Sequence, residues 1–191
     1  ERMGNSNVLP SNAKTVIVVG GGIAGTAVAK NLDGIAHVTL VTPLNFMQHK
    51  YGLLRANVVP GWEQAACVPL DHLLVNGKIL QGTVTSVTDG SVTLEDGTVL
   101  TGDYIILAHG AGAGILPSSA PPGVVNASDF QNLLMQKQNC IRDSNSIAVI
   151  GAGPVGLELA GEIRALYPNK SITVVQSPSQ ILSNTSPPLI E

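Results

Sequence analysis

The pattern Gly-x-Gly-x-x-Gly occurs twice in this chain and constrains its fold more than any other feature of the sequence. The six glycines are Gly20, Gly22, Gly25, Gly151, Gly153 and Gly156. In each copy an apolar, β-branched run precedes the glycines and a segment of helical periodicity follows them. In such a strand–turn–helix the first glycine makes the tight turn, the second lets the backbone approach a pyrophosphate, and the third lets the helix pack on the strand. The helix N-terminus attracts the phosphate charge. One copy alone would often be an ordinary glycine turn, but two copies in this context predict two α/β units that bind dinucleotides.

Both units are predicted to contain a strand, a helix and a second parallel strand. The ranges are residues 15–19, 23–32 and 37–41 in the first unit, and residues 147–150, 154–166 and 172–175 in the second. The continuous apolar runs are typical of strands buried on both faces of a parallel sheet. Pro154 suits the first turn of its helix, where its missing N–H would have no partner in any case.

An antiparallel insert is predicted between the two units. Its strands are residues 78–87, 91–94 and 98–100, separated by Asp89-Gly90 and Asp96-Gly97. Asp-Gly between β-rich runs is a strong hairpin signal. The remaining segments are a mixed connection over 43–77, another buried strand over 104–107, a linker over 110–123, a helix from about Ser128 to Cys140, and a tail over 177–191 without a recognisable element.

Composition excludes several classes of protein. Hydrophobic residues make up 44% of the 191 and charged residues 12%, so the chain buries a core. A net charge of −3 and 3% aromatic residues give no basis for nucleic-acid binding. No apolar run approaches the ~20 residues of a transmembrane helix. Two distant cysteines form no Cys-x-x-Cys pair, and the four histidines show no metal-ligand spacing, so we expect neither a redox dithiol nor a metal.

An acidic residue usually follows the second strand of a dinucleotide-binding unit and accepts a hydrogen bond from the ribose. Thr42 occupies that position in the first unit and Gln176 in the second. Either side chain can bond a ribose, but a neutral bond contributes about 0.5–1.5 kcal/mol against about 1.5–3 for a charged one. Without a carboxylate at Gln176, a 2′-phosphate is not repelled. The coenzyme at the second loop can therefore be NADH or NADPH.

The sequence resembles the pyridine nucleotide–disulphide oxidoreductase family, and within it the branch of apoptosis-inducing-factor-like and ferroptosis suppressor proteins. The resemblance extends from about Lys14 to Ser177. It depends on three segments: Val18-Val19-Gly20-Gly21-Gly22-Ile23-Ala24-Gly25, Leu53-Leu54-Arg55-Ala56, and Gly151-Ala152-Gly153-Pro154-Val155-Gly156-Leu157-Glu158-Leu159-Ala160-Gly161-Glu162-Ile163.

The resemblance implies roles for several residues. The first loop would bind the FAD pyrophosphate, Arg55 would lie against the flavin, and the backbone near Val84 would meet the adenine. Ala108-His109-Gly110 stands where the family has Ala-Thr-Gly in a turn that touches FAD, so His109 departs from the pattern. Glu158 would pair with a lysine near the nicotinamide, and Lys50 is the best candidate for that lysine. The alternative for Arg55 and Glu158 is an ordinary surface charge.

The resemblance further implies a Rossmann-like FAD-binding domain (residues 1–122) with an antiparallel β insert, followed by the start of a second Rossmann-like, NAD(P)-binding domain (residues 123–191). Such an enzyme passes a hydride from NAD(P)H to the flavin and then electrons to an acceptor, here expected to be quinone-like. The alternative is a catalytically degenerate flavoprotein relative that serves as a structural subunit of a larger assembly.

The second unit stops after two strands, so the chain looks incomplete. Either the sequence is part of a longer chain or a partner chain covers the open sheet. We expect no turnover from the 191 residues alone. Peripheral membrane association is also allowed, and the family suggests a mitochondrial or cytoplasmic location.

Overall fold

Two structural units make up the chain. The computed structural model describes residues 9–110, 120–177 and 181–182. The first unit comprises residues 1–49 and 67–130, and the second comprises residues 50–66 and 131–191. The helix Ala127–Asp143 begins in the first range and ends in the second.

The strands are β1 (Thr15–Val19), β2 (His37–Thr42), β3 (Phe46–Gln48), β4 (Cys67–Pro69), β5 (Lys78–Gln81), β6 (Val84–Thr88), β7 (Ser91–Leu94), β8 (Val99–Thr101), β9 (Tyr104–Leu107), β10 (Ser146–Ile150) and β11 (Ser171–Val175). The α-helices are α1 (Ile23–Leu32), α2 (Leu53–Ala56), α3 (Trp62–Ala65), α4 (Ala127–Asp143) and α5 (Pro154–Leu166), and a short 3-10 helix spans Lys50–Gly52.

A four-stranded parallel sheet in the order β5-β2-β1-β9 forms the centre of the first unit. Successive side chains of β1 point to opposite faces. Val16 and Val18 pack with Ala29 of α1 on one face. Ile17 and Val19 pack on the other face with residues of β7. Burial on both faces explains the continuous apolar run of β1, so the predicted parallel α/β unit is confirmed.

The antiparallel insert is a three-stranded sheet, β6-β7-β8, with tight turns at Gly90 and Gly97, whose φ angles are +78° and +84°. Both predicted hairpins are therefore confirmed. The single predicted strand over 78–87 is wrong, because it divides at Gly82 into β5, parallel to β2, and β6, antiparallel to β7. The Gly82 N–H donates to the carbonyl of Thr42 at 2.8 Å, where the pairing with β2 ends.

Two further expectations need correction. Strand β9 was predicted to be buried, but Tyr104 and Leu107 are 58% and 56% exposed, because β9 is an edge strand of the sheet. The connection over 43–77 contains the ribbon β3–β4 and helices α2 and α3, which the sequence did not predict. These elements have only three or four residues each, too few for a periodic pattern.

The second unit contains the parallel pair β10–β11, with α5 between the two strands in sequence. The predicted strands and both predicted helices, α4 and α5, are confirmed to within a few residues. The expectation of an open apolar surface is also confirmed among the described residues, since Ile150 is 87% exposed and Val175 49%. Most of the predicted linker and tail (111–119, 178–180 and 183–191) lies outside the described residues. In the part of the chain that is described, no helix has the length and apolar character needed to cross a membrane.

Candidate functional site

The first glycine loop connects β1 to α1, and two of its glycines are required by the fold. Gly20 has a φ of +112°, and a β-carbon there would lie 2.5 Å from the carbonyl oxygen of Ala108. A β-carbon on Gly25 would overlap the carbonyl oxygen of Gly20. Any larger residue at either position would displace the turn or lift α1 from the sheet.

Gly22 differs from both, because nothing in the described part of the chain requires a glycine there. Its φ and ψ of −80° and −173° are extended backbone, and a β-carbon would meet no atom within 4 Å. Gly22 is also the N-cap of α1, and no side chain caps the first turn. The N–H groups of that turn therefore lie next to open space and fit a phosphate group.

The second glycine loop repeats this geometry between β10 and α5. Gly151 has a φ of +102°, and its N–H donates to the carbonyl of Val175 at 2.7 Å. A β-carbon on Gly156 would overlap the carbonyl oxygen of Gly151. Gly153 is again an extended N-cap (φ −75°, ψ 176°), and among the described residues no atom lies within 4 Å of its β-carbon position and no side chain caps the helix. Both loops thus combine two glycines that the fold needs with one that it does not.

The residues at the two ribose positions contact their own loops. Thr42 is 2% exposed, and a β-carbon on Gly21 would lie 2.5 Å from its Oγ1. Gln176 is partly buried, and its Oε1 accepts a hydrogen bond from the N–H of Ala152 at 2.7 Å. Gly21 and Ala152 are the middle residues of their Gly-x-Gly turns, so both side chains lie beside the same position of their loops, and Gln176 is hydrogen-bonded to it. The roles of Thr42 and Gln176 toward a ribose stay predictions.

The turn after β9 lies against the first loop. The N–H of Ala108 donates to the carbonyl of Val19 at 2.8 Å, and the Cα of His109 is among the atoms nearest to the β-carbon position of Gly20. His109 is exposed, and Gly110 has a φ of +75°. The structure therefore brings together two segments that the sequence assigned to one cofactor, although they are almost ninety residues apart in the chain.

A cavity of about 400 Å³ lies beside the other predicted cofactor positions of the first unit. Its lining includes Pro43, which follows Thr42 in the chain, and Thr83, which precedes Val84. Val84 is the first residue of β6 and lies opposite Leu94, another lining residue. Thr42 and Val84 themselves do not line this cavity, so their roles toward FAD stay predictions.

Arg55, in α2, forms an ion pair with Glu162 of α5. Its Nε lies 2.9 and 3.1 Å from the two carboxylate oxygens, and its Nη2 lies 2.8 Å from Oε1. The guanidinium also lies 5.0 Å from the centre of the Trp62 ring. The hydrogen bond and charge of Glu162 raise the pKa of Arg55, with a smaller contribution from the charge of Glu158. Arg55 is therefore held by protein groups on two sides.

The expected pairing of Lys50 with Glu158 is not observed. Lys50 is an exposed residue of the 3-10 helix, and in the described part of the chain neither side chain has an ion-pair partner within 4 Å. The cation next to the acids of α5 is Arg55. Sequence reasoning missed Glu162 and Trp62. The spacing of Glu158 and Glu162 was the available signal, because residues four apart share one face of a helix.

Comparison with known proteins shows the family to which this sequence is similar. The sequence profile of the pyridine nucleotide-disulphide oxidoreductase family matches residues 14–191. The chain is 35% identical over 181 residues to apoptosis-inducing factor homolog B of Dictyostelium discoideum, covering 92% of this chain and 46% of that protein. It is 30% identical over 183 residues to human ferroptosis suppressor protein 1, covering 92% and 47%. These matches confirm the resemblance found in the sequence.

Among solved structures, the water-forming NADH oxidase from Lactobacillus brevis, bound to NADH, superposes with a TM-score of 0.64 at 20% identity. The match covers 89% of this chain and 41% of the oxidase and supports the predicted fold class. This chain spans about half the length of the curated relatives it matches.

Proposed function

Because the chain belongs to the pyridine nucleotide-disulphide oxidoreductase family, we propose that the complete protein is an FAD-dependent NAD(P)H oxidoreductase. It passes a hydride from NAD(P)H to the flavin and then electrons to a quinone-like acceptor. The first glycine loop, with Thr42, Val84 and the Ala108–Gly110 turn, holds FAD. The second loop, with Gln176, holds NADH or NADPH. We propose that the predicted domains, 1–122 and 123–191, bind FAD and the nicotinamide coenzyme respectively, although residues 50–66 belong to the second structural unit and residues 123–130 to the first.

One observation supports this function more than any other: no contact among the described residues explains why positions 22 and 153 are glycine. Their backbones are extended and their surroundings are open. Glycine in an ordinary conformation is unfavourable, because it loses more conformational freedom on folding than other residues. A pyrophosphate that approaches the backbone closely explains the missing side chain at both places.

Bound FAD would supply the hydride-accepting ring, and the protein supplies binding, orientation and electrostatics. Arg55 is a fixed cation, held by Glu162 and stacked on Trp62, beside the helix that begins at the second loop. Glu158 lies on the same helix, one turn before Glu162. We propose that Glu158 acts at the nicotinamide and that Arg55, rather than Lys50, is the cation of the site. That Arg55 lies against the flavin stays a prediction from the family resemblance.

The quinone-like electron acceptor is proposed because the sequence contains no dithiol that could take electrons from the flavin. The chain has two cysteines, 67 and 140, too far apart in sequence for a Cys-x-x-Cys dithiol. Electrons on a reduced flavin then need an external carrier, and a quinone-like molecule accepts either one or two. The alternative is a structural subunit that catalyses no reaction. It is not favoured, because the match to an oxidoreductase family extends over residues 14–191.

Further polypeptide is proposed to cover the open face of β10–β11 in the complete protein, either from the same chain or from a partner. Ile150 and Val175 are too exposed and apolar to remain in water without cost. Peripheral membrane association and the mitochondrial or cytoplasmic location remain proposals.

Absorption spectroscopy of the complete protein tests the function. A flavin spectrum that is bleached by NADH or NADPH under anaerobic conditions is the expected result. A colourless protein that binds neither added FAD nor a nicotinamide coenzyme would contradict the proposal.

Gly22→Ala tests the assignment of the first loop. A methyl group at position 22 meets no atom of the described residues, so we expect the fold to persist, but the methyl occupies the space proposed for the pyrophosphate. We expect flavin affinity to fall at least about tenfold, equivalent to about 1.4 kcal/mol. The measurement is FAD titration of the apoprotein. Gly34→Ala is the matched control, since this position is equally open but lies beyond α1. Equal FAD affinity in both variants would refute the assignment.

A further inference from the structure

Gln81 lies beside the position at which a dinucleotide-binding unit usually has an acidic residue. It is the last residue of β5 and pairs in register with Thr42, the last residue of β2. The carboxyl ends of neighbouring parallel strands meet at one edge of a sheet, and ligands of open α/β sheets bind outside that edge. Gln81 and Thr42 are therefore two alternative sources of a hydrogen bond to the ligand.

The hydroxyl of Thr42 is enclosed beneath the first glycine loop. The residue is 2% exposed, and a β-carbon on Gly21 would lie 2.5 Å from its Oγ1. The same oxygen lies 3.4 Å from the backbone nitrogen of Leu44, from which it accepts a hydrogen bond. Thr42 thus supports the loop from inside, and a ribose outside the loop needs its acceptor from another residue.

The amide of Gln81 has an orientation that its hydrogen bonds determine. Its Nε2 donates to the carbonyl of Pro43 at 3.1 Å and to the carbonyl of Val125 at 3.3 Å. Only the nitrogen of a carboxamide can donate to a carbonyl, so the oxygen lies on the other side of the group. Among the described residues no group donates to Oε1 of Gln81. This oxygen is therefore a free acceptor on an exposed side chain.

The free acceptor belongs to the wall of the cavity of about 400 Å³. Gln81 lines this cavity, and so do Pro43 and Val125, the two residues that its amide nitrogen holds. Thr42 does not line it. The amide of Gln81 thus fixes part of the wall with its nitrogen and leaves its oxygen for a hydroxyl donor.

Two acidic residues of the same cavity are competing acceptors. Glu95 and Asp96 line it from the turn after β7, in the antiparallel insert. Asp96 already accepts a hydrogen bond from the N–H of Thr98 at 2.9 Å. Neither acid lies at the edge of the parallel sheet, where the ribose of a bound dinucleotide is expected.

From this geometry we propose that Gln81 accepts the hydrogen bond of the ribose 2′-hydroxyl in the adenosine part of FAD. It does so in place of the acidic residue that Thr42 replaces. The inference rests on the proposed function in taking FAD as the ligand of the first loop. It adds a binding residue on a different strand from the one that the motif indicates.

Equilibrium binding of two flavins to the apoprotein of the complete protein tests the inference without depending on turnover. The probes are FAD and its analogue that contains 2′-deoxyadenosine, and flavin fluorescence reports both dissociation constants. For the unmodified protein we expect FAD to bind about three- to tenfold more tightly than the analogue, as one neutral hydrogen bond provides. Gln81→Met keeps the length of the side chain but has no acceptor oxygen, so we expect its ratio to fall to about one.

Thr42→Val and Glu95→Met are the matched controls. The first removes the enclosed hydroxyl, and the second removes another exposed acceptor of the cavity wall. Both variants should keep the preference for FAD over the analogue. Loss of the preference in either control but not in Gln81→Met would overturn the inference.

Two further results would also overturn it. The first is equal affinity of the unmodified protein for the two flavins. The second is a Gln81→Met variant that binds both flavins more weakly by the same factor, because Gln81 would then only hold Pro43 and Val125 in place. In both cases FAD is still bound, so the proposed function survives. An unmodified protein that binds neither flavin would refute the proposed function together with this inference.

Discussion

Gln138 and Gln48 are both buried, at 4% and 9% exposure, but their amides are in opposite situations. The Nε2 of Gln138 donates to the carbonyl of Ala56 at 2.7 Å and to the carboxylate of Glu63 at 3.0 Å, which connects helices α2 and α3 to α4. The Nε2 of Gln48 has no hydrogen-bond partner among the described residues. A buried donor without a partner costs free energy that an apolar side chain of the same size would not cost.

Replacement of each glutamine by leucine should therefore change the stability in opposite directions. Gln138→Leu leaves the carboxylate of Glu63 short of a partner, so we expect the free energy of unfolding to fall by about 1–3 kcal/mol. Gln48→Leu removes the unpaired amide, and we expect no loss of stability or a gain of up to about 1–2 kcal/mol. Urea unfolding of the two variants under identical conditions is the measurement. A comparable loss in both would show that packing, rather than hydrogen bonding, dominates at these sites.

At the scale of elements, helix α5 depends on a close approach to the strand before it. Gly156 allows this approach, because a β-carbon there would overlap the carbonyl oxygen of Gly151 and lie 3.4 Å from Cγ1 of Val149. Gly161, in the same helix, has no atom within 4 Å of its β-carbon position. A substitution by alanine therefore tests helix packing at Gly156, whereas at Gly161 it tests only the intrinsic preference of a helix for alanine over glycine.

The corresponding alanine variants test this packing. Gly161→Ala should raise the free energy of unfolding by about 0.5–1 kcal/mol, the usual advantage of alanine within a helix. Gly156→Ala should lower it by about 1–3 kcal/mol, because the added methyl forces the helix away from the strand. Thermal unfolding followed by circular dichroism distinguishes the two. If Gly156→Ala were as stable as Gly161→Ala, the helix would not need its close contact with the turn.

For the whole molecule, residues 50–66 are structurally part of the second unit although they precede most of the first in sequence. Within that unit, Arg55 binds Glu162, which is 107 residues away in the chain. The segment therefore supplies the cation that pairs with Glu162 of α5, whereas Arg164 of the same helix donates to the carbonyl of Pro168. Because this cation comes from a distant segment, the proposed coenzyme site needs both parts of the chain.

The 191 residues alone are expected to lack turnover. Exposed apolar side chains on β10–β11, such as Ile150, indicate that the second unit needs further polypeptide around it. The measurement is NADH and NADPH oxidation with a soluble quinone, compared between this chain and the complete protein at equal flavin content. Equal rates in the two preparations would refute the expectation.

Local sequence was sufficient to predict the two strand–loop–helix units. The glycines, the β-branched runs and the helical periodicity are all short-range signals, and the structure has them within a few residues of the predicted bounds. The two Asp-Gly hairpins were predictable for the same reason, since a positive φ at the glycine is a property of the turn itself. Such elements follow from conformational preferences over a few neighbouring residues.

Long-range packing decided the rest. Gly82 was a local sign of a break within 78–87, but the change from parallel pairing with β2 to antiparallel pairing with β7 is decided by the sheets. Whether Lys50 or Arg55 meets the acids of α5 depends on how α2 lies against that helix. The orientation of the Gln176 amide depends on a loop 24 residues before it. These contacts join residues that are close only after folding, so they were beyond the reach of local sequence patterns.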